Sequence, residues 1–159
     1  MVKIEILIQE GKLSKINELE KDRYINFFDS SYNDNLNHSE FVLQAFPRWS
    51  IISGYYAMHD ISKSFLAKQF GLKVEMKVHA TTIKALKELL KDKEAVKLMN
   101  KAYKEFKFLA NDLADAKKER VKTQYYTGTD YMKTEYQQRA TLFLANVVKP
   151  FVEKMRLLL

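Results

Sequence analysis

The chain has no cysteine, and only four glycines, two prolines and three histidines among 159 residues. Without cysteine there is no disulfide and no thiolate metal site, and the redox character of the compartment is left open. So few turn-forming residues point to long helices joined by few loops. His38, His59 and His79 lie far apart and lack the spacing of helical metal ligands, so no metal and no cofactor is expected. No serine sits in a nucleophile elbow, no glycine-rich loop could cradle a triphosphate, and no Glu-x-x-His pair falls on a buried face. No apolar run approaches the length of a membrane span, and Glu5 and Glu10 interrupt the apolar N-terminus. The expectation is a cytoplasmic protein with no membrane segment.

What is present is ordinary for one globular domain, with 47% apolar and 30% charged residues. The length suits a single domain over 1–159, with a leader helix in 1–17 and a bundle in 18–159. The formal charge is +7 and the pI near 9.4. The excess is local: from Leu72 to Lys104 there are nine lysines against four acidic residues. Such a stretch favours an anionic partner over a merely solvated face.

Along the chain, Ile4, Leu7 and Ile8 before Gly11 read as a short helix. The alternation of Val2, Ile4, Ile6 and Ile8 would also suit a strand, but no second strand-like segment is legible to pair with it. Glu18 to Ser30 reads as a helix carrying Leu19, Ile25 and Phe28. The polar run Ser31 to Ser39, rich in Asn, Asp and Ser, reads as a loop or helix interruption. Pro47 suits the first turn of a helix over Arg48 to Phe70, with Ile51, Tyr55, Met58, Ile61 and Phe65 on its apolar stripe and Gly71 as its stop. Leu72 to His79 reads as a connection, with Thr81 or Thr82 capping a helix through Leu90 that packs Ile83 and Leu86. Thr127 to Asp130 reads as a turn, and a last helix from Tyr131 buries Ala140, Phe143, Val147, Phe151 and Met155, with a kink at Pro150. The predicted architecture is all-α, an antiparallel up-and-down bundle of four to five helices.

The longest helix is predicted over Glu94 to Tyr126. Ala95, Met99, Ala102, Phe106, Leu109, Leu113 and Ala116 recur at alternating spacings of four and three, with lysine and glutamate opposite. The next stripe position holds Arg120, and Tyr125 follows before Thr127 and Gly128 end the run. An arginine on a buried seam either snorkels to a carboxylate partner or helps to build a site. The cluster Tyr55-Tyr56-Ala57-Met58 reads as core packing. His59, followed by Asp60, reads as a core histidine satisfied by a nearby acceptor, and His79 as an exposed residue ahead of a helix.

Several of these segments together resemble HEPN domains, the higher-eukaryote and prokaryote nucleotide-binding family. Tyr55-Tyr56-Ala57-Met58-His59, then Phe65-Leu66-Ala67-Lys68 and Gly71-Leu72, look like that family's second helix. Lys77-Val78-His79 leading into Thr82-Ile83 is similar to its connection into the third helix. Arg120-x4-Tyr125, with the terminal helix through Val147, Phe151 and Val152, is similar to its C-terminal pair. The opening Leu7-Ile8-x-Glu10-Gly11-Lys12-Leu13 is similar to leaders of archaeal members. The resemblance implies a helical bundle that dimerises. It also implies, in active ribonucleases, an arginine followed four to six residues later by a histidine. Here positions 125, 126 and 127 are Tyr, Tyr and Thr, so Arg120 matches and the histidine is missing. A phenol, with an ordinary pKa near 10, is a poor base at neutral pH.

The reading that follows is a non-catalytic homodimer holding RNA or a nucleotide phosphate with Arg120, Tyr125, Lys117, Lys118 and Lys122, with Tyr126 offering a stacking face. Three alternatives stand beside it. One is a ribonuclease toxin with a relaxed motif, in which Arg120, Tyr125 and His59 (or His79) act together. Another is a toxin–antitoxin component partnered with a minimal nucleotidyltransferase, with Tyr125 or Tyr126 as a modification acceptor. The last is a helical interaction scaffold.

Overall fold

The structure is a computed structural model describing residues 3–122 and 129–159, with side chains described for the same residues except 110, 112–122 and 129–133. In order, the elements are α1 (Ile4–Gln9), β1 (Leu13–Lys15), α2 (Glu18–Val42), α3 (Pro47–Phe70), β2 (Leu72–Val74), α4 (Val78–Leu89), α5 (Lys93–Lys122), α6 (Thr129–Phe143), a π-helical turn (Leu144–Val148) and α7 (Lys149–Arg156). The fold is an all-α helical bundle, as the sequence predicts. Among the described residues no helix is long and apolar enough to cross a membrane.

α3 is the central helix. Its predicted stripe of Ile51, Tyr55, Met58, Ile61 and Phe65 is buried, and around it pack Ile83 and Leu86 of α4, Ala95, Met99, Ala102 and Leu109 of α5, and Ala140, Phe143, Val147, Phe151 and Met155 of the C-terminal helices. Pro47 occupies the first turn of α3, where its missing N–H costs nothing, and Gly71 closes the helix at φ +61°. Asp92 caps α5 by accepting from the backbone N–H groups of Glu94 and Ala95 at 2.9 and 3.0 Å. The bond from Ala95 is the main reason its carboxyl is held below the ordinary range.

Four expectations are corrected. The polar run from Ser31 to Ser39 is not a loop: α2 continues unbroken through it, from its Asn17 cap to Val42. Of the apolar residues expected to anchor α2, Leu19 is 92% exposed, while Ile25 and Phe28 are only half-buried. The helix is held instead by a polar seam against α3. Ser31 Oγ and Asn35 Nδ2 both donate to Asp60 Oδ2, at 2.7 and 3.1 Å, Ser39 Oγ donates to the Ser50 carbonyl at 2.8 Å, and His38 meets Ser53 Oγ at 2.6 Å. Below them Ser64 and Lys68 donate to the two oxygens of Asp29. Gly54 lets the helices close: a Cβ there would lie 2.9 Å from Val148 Cγ2 and 3.2 Å from Ser39 Oγ.

Second, the leader and the presumed connection at Leu72 each contribute a short strand. β1 and β2 pair antiparallel, Leu13 opposite Val74 and Lys15 opposite Leu72. Third, α4 begins at Val78, three residues before the expected threonine caps, from Lys77 in the left-handed region at φ 48°. Thr81 and Thr82 instead bond back to the carbonyls of Met76 and Val78. Fourth, Thr129 and Asp130 are already helical, ahead of the Tyr131 start expected for the last helix, while the expected end of the long helix at Tyr126 and the turn residues Thr127 and Gly128 lie outside the described residues. The interruption expected at Pro150 takes the form of the π turn: Lys149 N–H reaches back five residues to the Leu144 carbonyl, and Pro150 has no N–H to offer Asn146.

Candidate functional site

The residues assigned to the phosphate groove fall mostly outside the described geometry. Arg120, Lys117, Lys118 and Lys122 lie in the last turns of α5, but their side chains are not among those described, and Tyr125 and Tyr126 lie outside the described residues altogether. The histidine offered as a substitute base is described. His59 is 1% exposed, in the middle of α3, and does not meet solvent. The nearby acceptor expected for it is a backbone carbonyl rather than Asp60. Among the described residues its Nδ1 has no hydrogen-bond partner, and Asp60 Oδ1 stands 3.8 Å away, beyond bonding range. Its Nε2 reaches the Val78 carbonyl at a long 3.5 Å.

Packing of α3 against α4 brings His79 beside it, with ring centroids 4.9 Å apart. His79 is half-buried rather than exposed, and its Nδ1 meets Tyr55 Oη at 2.8 Å. Tyr55 in turn stacks on Phe106 of α5 at 4.5 Å, and burial pushes its phenol well above the ordinary tyrosine range, so it stays protonated. Burial lowers the affinity of His59 for a proton, and burial followed by the nearness of His59 and Lys63 does the same for His79. Asp60 shows the opposite balance. Its burial favours the neutral acid, yet the Ser31 donor and the Lys63 ammonium at 3.7 Å outweigh it and keep the carboxylate charged. The cluster is a packed core of neutral rings, as the sequence implies for Tyr55 to Met58.

These shifts have a consequence for stability. The folded-state pKa of His59 lies below its unfolded value near 6.5, so the unfolded chain binds the extra proton. Stability is therefore complete above about pH 6.5 and falls with further acidification, by up to about 1.4 kcal/mol per pH unit for this one group. Urea unfolding followed from pH 7.5 to 5, values chosen to bracket that pKa, is expected to show the decline in the native chain and a flatter profile in His59→Leu. A flat profile in the native chain would refute it.

No protein-family model matches the chain, and no curated protein or solved structure matches it. Function is therefore read from the surface itself.

The described surface carries one concentrated chemical feature. At 100° per residue, Lys93, Lys97, Lys101, Lys104 and Lys107 of α5 fall within a sector of about 120°, along roughly 21 Å of helix. All five are exposed, and the buried stripe of Ala95, Met99 and Ala102 lies opposite. The acids of this helix that flank the row are engaged away from it: Glu94 with Lys154 at 3.6 Å, and Glu105 with Arg139 at 2.8 Å. Among the described residues none of Lys93, Lys97, Lys101 or Lys104 forms an ion pair, while Lys107 lies over the Tyr103 ring at 5.5 Å. Five like charges in a row repel one another, so the helix carries them at a cost that a bound polyanion would reverse. The row was only partly legible in advance: the lysine excess was plain, but its placement on one sector of one helix needed the phase of α5.

Proposed function

We propose that this chain is a cytoplasmic, non-catalytic RNA- or nucleotide-binding protein, HEPN-like in build, that uses the lysine row of α5 to hold phosphates. The observation that carries the reading is the uncompensated row from Lys93 to Lys107, since its acidic neighbours are paired elsewhere. The same helix continues into the segment that bears Arg120, but Arg120 falls at the phase of the buried stripe, opposite the row, so the phosphate contact that the family resemblance places there would be separate from the lysine face. A two-fold homodimer with the α5 helices near the axis belongs to this proposal, and light scattering at tens of micromolar tests it, a monomer counting against it.

The test of binding is its response to salt. A single strand contacting five lysines releases counterions in proportion, giving a slope of about −3.5 in log K against log salt. Replacing Lys93, Lys97 and Lys104 together by glutamine should flatten that slope to about −1.4. An unchanged slope in the triple variant would overturn the reading. The ribonuclease alternative would have to work through His79 rather than His59, because only His79 reaches the surface among these two.

A further inference from the structure

Beside the lysine row, between α5 and the π turn, lies a half-open cleft of about 260 Å³. Lys101 and Glu105 line it from α5, Arg139 from α6 and Asn146 from the π turn, over a floor that includes Phe143. Arg139 is the organising group. Its Nε donates to Glu105 Oε2 at 2.8 Å, and its guanidinium carbon lies 3.9 Å from the centre of the Phe108 ring. Held on one edge by the carboxylate and on one face by the ring, the guanidinium has lost most of its freedom. Its two terminal nitrogens carry no hydrogen bond among the described residues. That end-on fork is the edge that takes two oxygens of a phosphate.

We propose that this cleft is a binding pocket for a single phosphate group of a nucleotide, held by the terminal nitrogens of Arg139 and the ammonium of Lys101. The proposal deepens the phosphate-binding reading of α5 and rests on it. Three features support it. The charge of the cleft is net positive, two cations against the one carboxylate that orients Arg139. Its volume is below the roughly 300–1,000 Å³ of pockets that enclose a whole small molecule, so it takes a group rather than a nucleotide. Lys101 belongs both to the cleft and to the lysine row, so a strand tracking the row would pass its mouth. The π turn shapes the place: it holds Asn146 at the rim while Val147 and Val148 stay in the core.

The phosphate could come from a free nucleotide or from the backbone of a bound strand, and two probes distinguish these. AMP is titrated calorimetrically, and a short oligouridylate is followed by fluorescence anisotropy, against native protein, Arg139→Gln, Lys101→Gln, Glu105→Gln and Lys87→Gln. Lys87 lies on α4, exposed and away from the cleft. Loss of one charge-assisted contact is expected to weaken the relevant probe about tenfold in Arg139→Gln and in Lys101→Gln. Lys87→Gln should stay at the native value, and Glu105→Gln, which removes the competing charge, should bind more tightly. The effect on AMP would identify a free nucleotide as the source, and the effect on the oligouridylate alone would identify the strand. If both variants match Lys87→Gln with both probes, the cleft proposal falls, while salt-dependent binding of the oligouridylate would leave the lysine row standing. If AMP binds with the expected Arg139 dependence and the oligouridylate does not bind, the cleft stands and the RNA reading falls. If neither probe binds, both fall. Far-UV circular dichroism confirms that each variant is folded.

Discussion

Asp60→Ala is expected to lower the stability of the protein by about 3 kcal/mol, the cost typical of breaking a buried charge pair. Asp60 sits in the core with Ser31, Asn35 and Lys63 turned toward it. Removing the carboxylate takes the acceptor from two half-buried donors, Ser31 and Asn35, and strands an ammonium whose own burial already disfavours its charge. Lys63 lies 4.5 Å from the Phe28 ring, which softens the loss without replacing it. Asp60→Asn, which keeps an acceptor for Ser31, should cost clearly less. Because its pKa is held low in the folded state, the stabilisation from Asp60 is present above about pH 4 and is lost as the pH falls further. Urea denaturation at pH 7 checks the ranking. A loss below about 1 kcal/mol, the scale of a single neutral hydrogen bond, for Asp60→Ala would mean that the polar seam does not hold α2.

Gly54→Val is expected to be comparably damaging, by a different cause. The first atom of any side chain there meets Val148 Cγ2 at 2.9 Å, and Phe143 Cε1 lies 3.5 Å away. Val148 is short and branched, so it cannot swing aside as a lysine tip would. Alanine would recover up to about 1 kcal/mol of helix propensity, set against the crowding. Valine adds two further methyl groups to a filled space, and overpacking of this kind costs about 1–3 kcal/mol or more. The diagnostic is coupling. Val148→Ala alone should destabilise, yet in the Gly54→Val background it should cost less, because it vacates the contested volume. Additive losses in thermal unfolding of the double variant would show that the clash is relieved elsewhere.

The sequence made the apolar half of this fold legible. Stripes in α3, α5 and the C-terminal helices follow the helical period because each buries one face against the others, and burial is what periodicity records. α2 was misread for the complementary reason. Its Ser, Asn and Asp residues are turn formers when their side chains bond to their own backbone. Here Ser31, Asn35 and Ser39 spend those groups on α3, and nothing local in the sequence distinguishes the two uses. The strands escaped notice because three residues are too few for alternation to register, and each finds its partner about sixty positions away. The meeting of His59 with His79 depends on how α3 crosses α4, and the cleft on where the π turn places Asn146 relative to Lys101. Both are products of tertiary phase, which one helix read alone does not contain.

The pairing of β1 with β2 has a consequence for how α2 is retained. α2 has little apolar surface committed to the core, Tyr32 and Val42 being its buried apolar residues. Its N-terminal end is tied down through β1, and its C-terminal end through the turn into α3. Tethered at both ends, its seam groups face their partners at a high effective concentration, so bonds that are individually weak close as intramolecular events. Cutting one tether would remove that advantage without touching a single seam contact. α2 is in this sense a separable cooperative unit, latched by a strand pair of three residues, on a bundle whose apolar core is assembled mainly from the other helices.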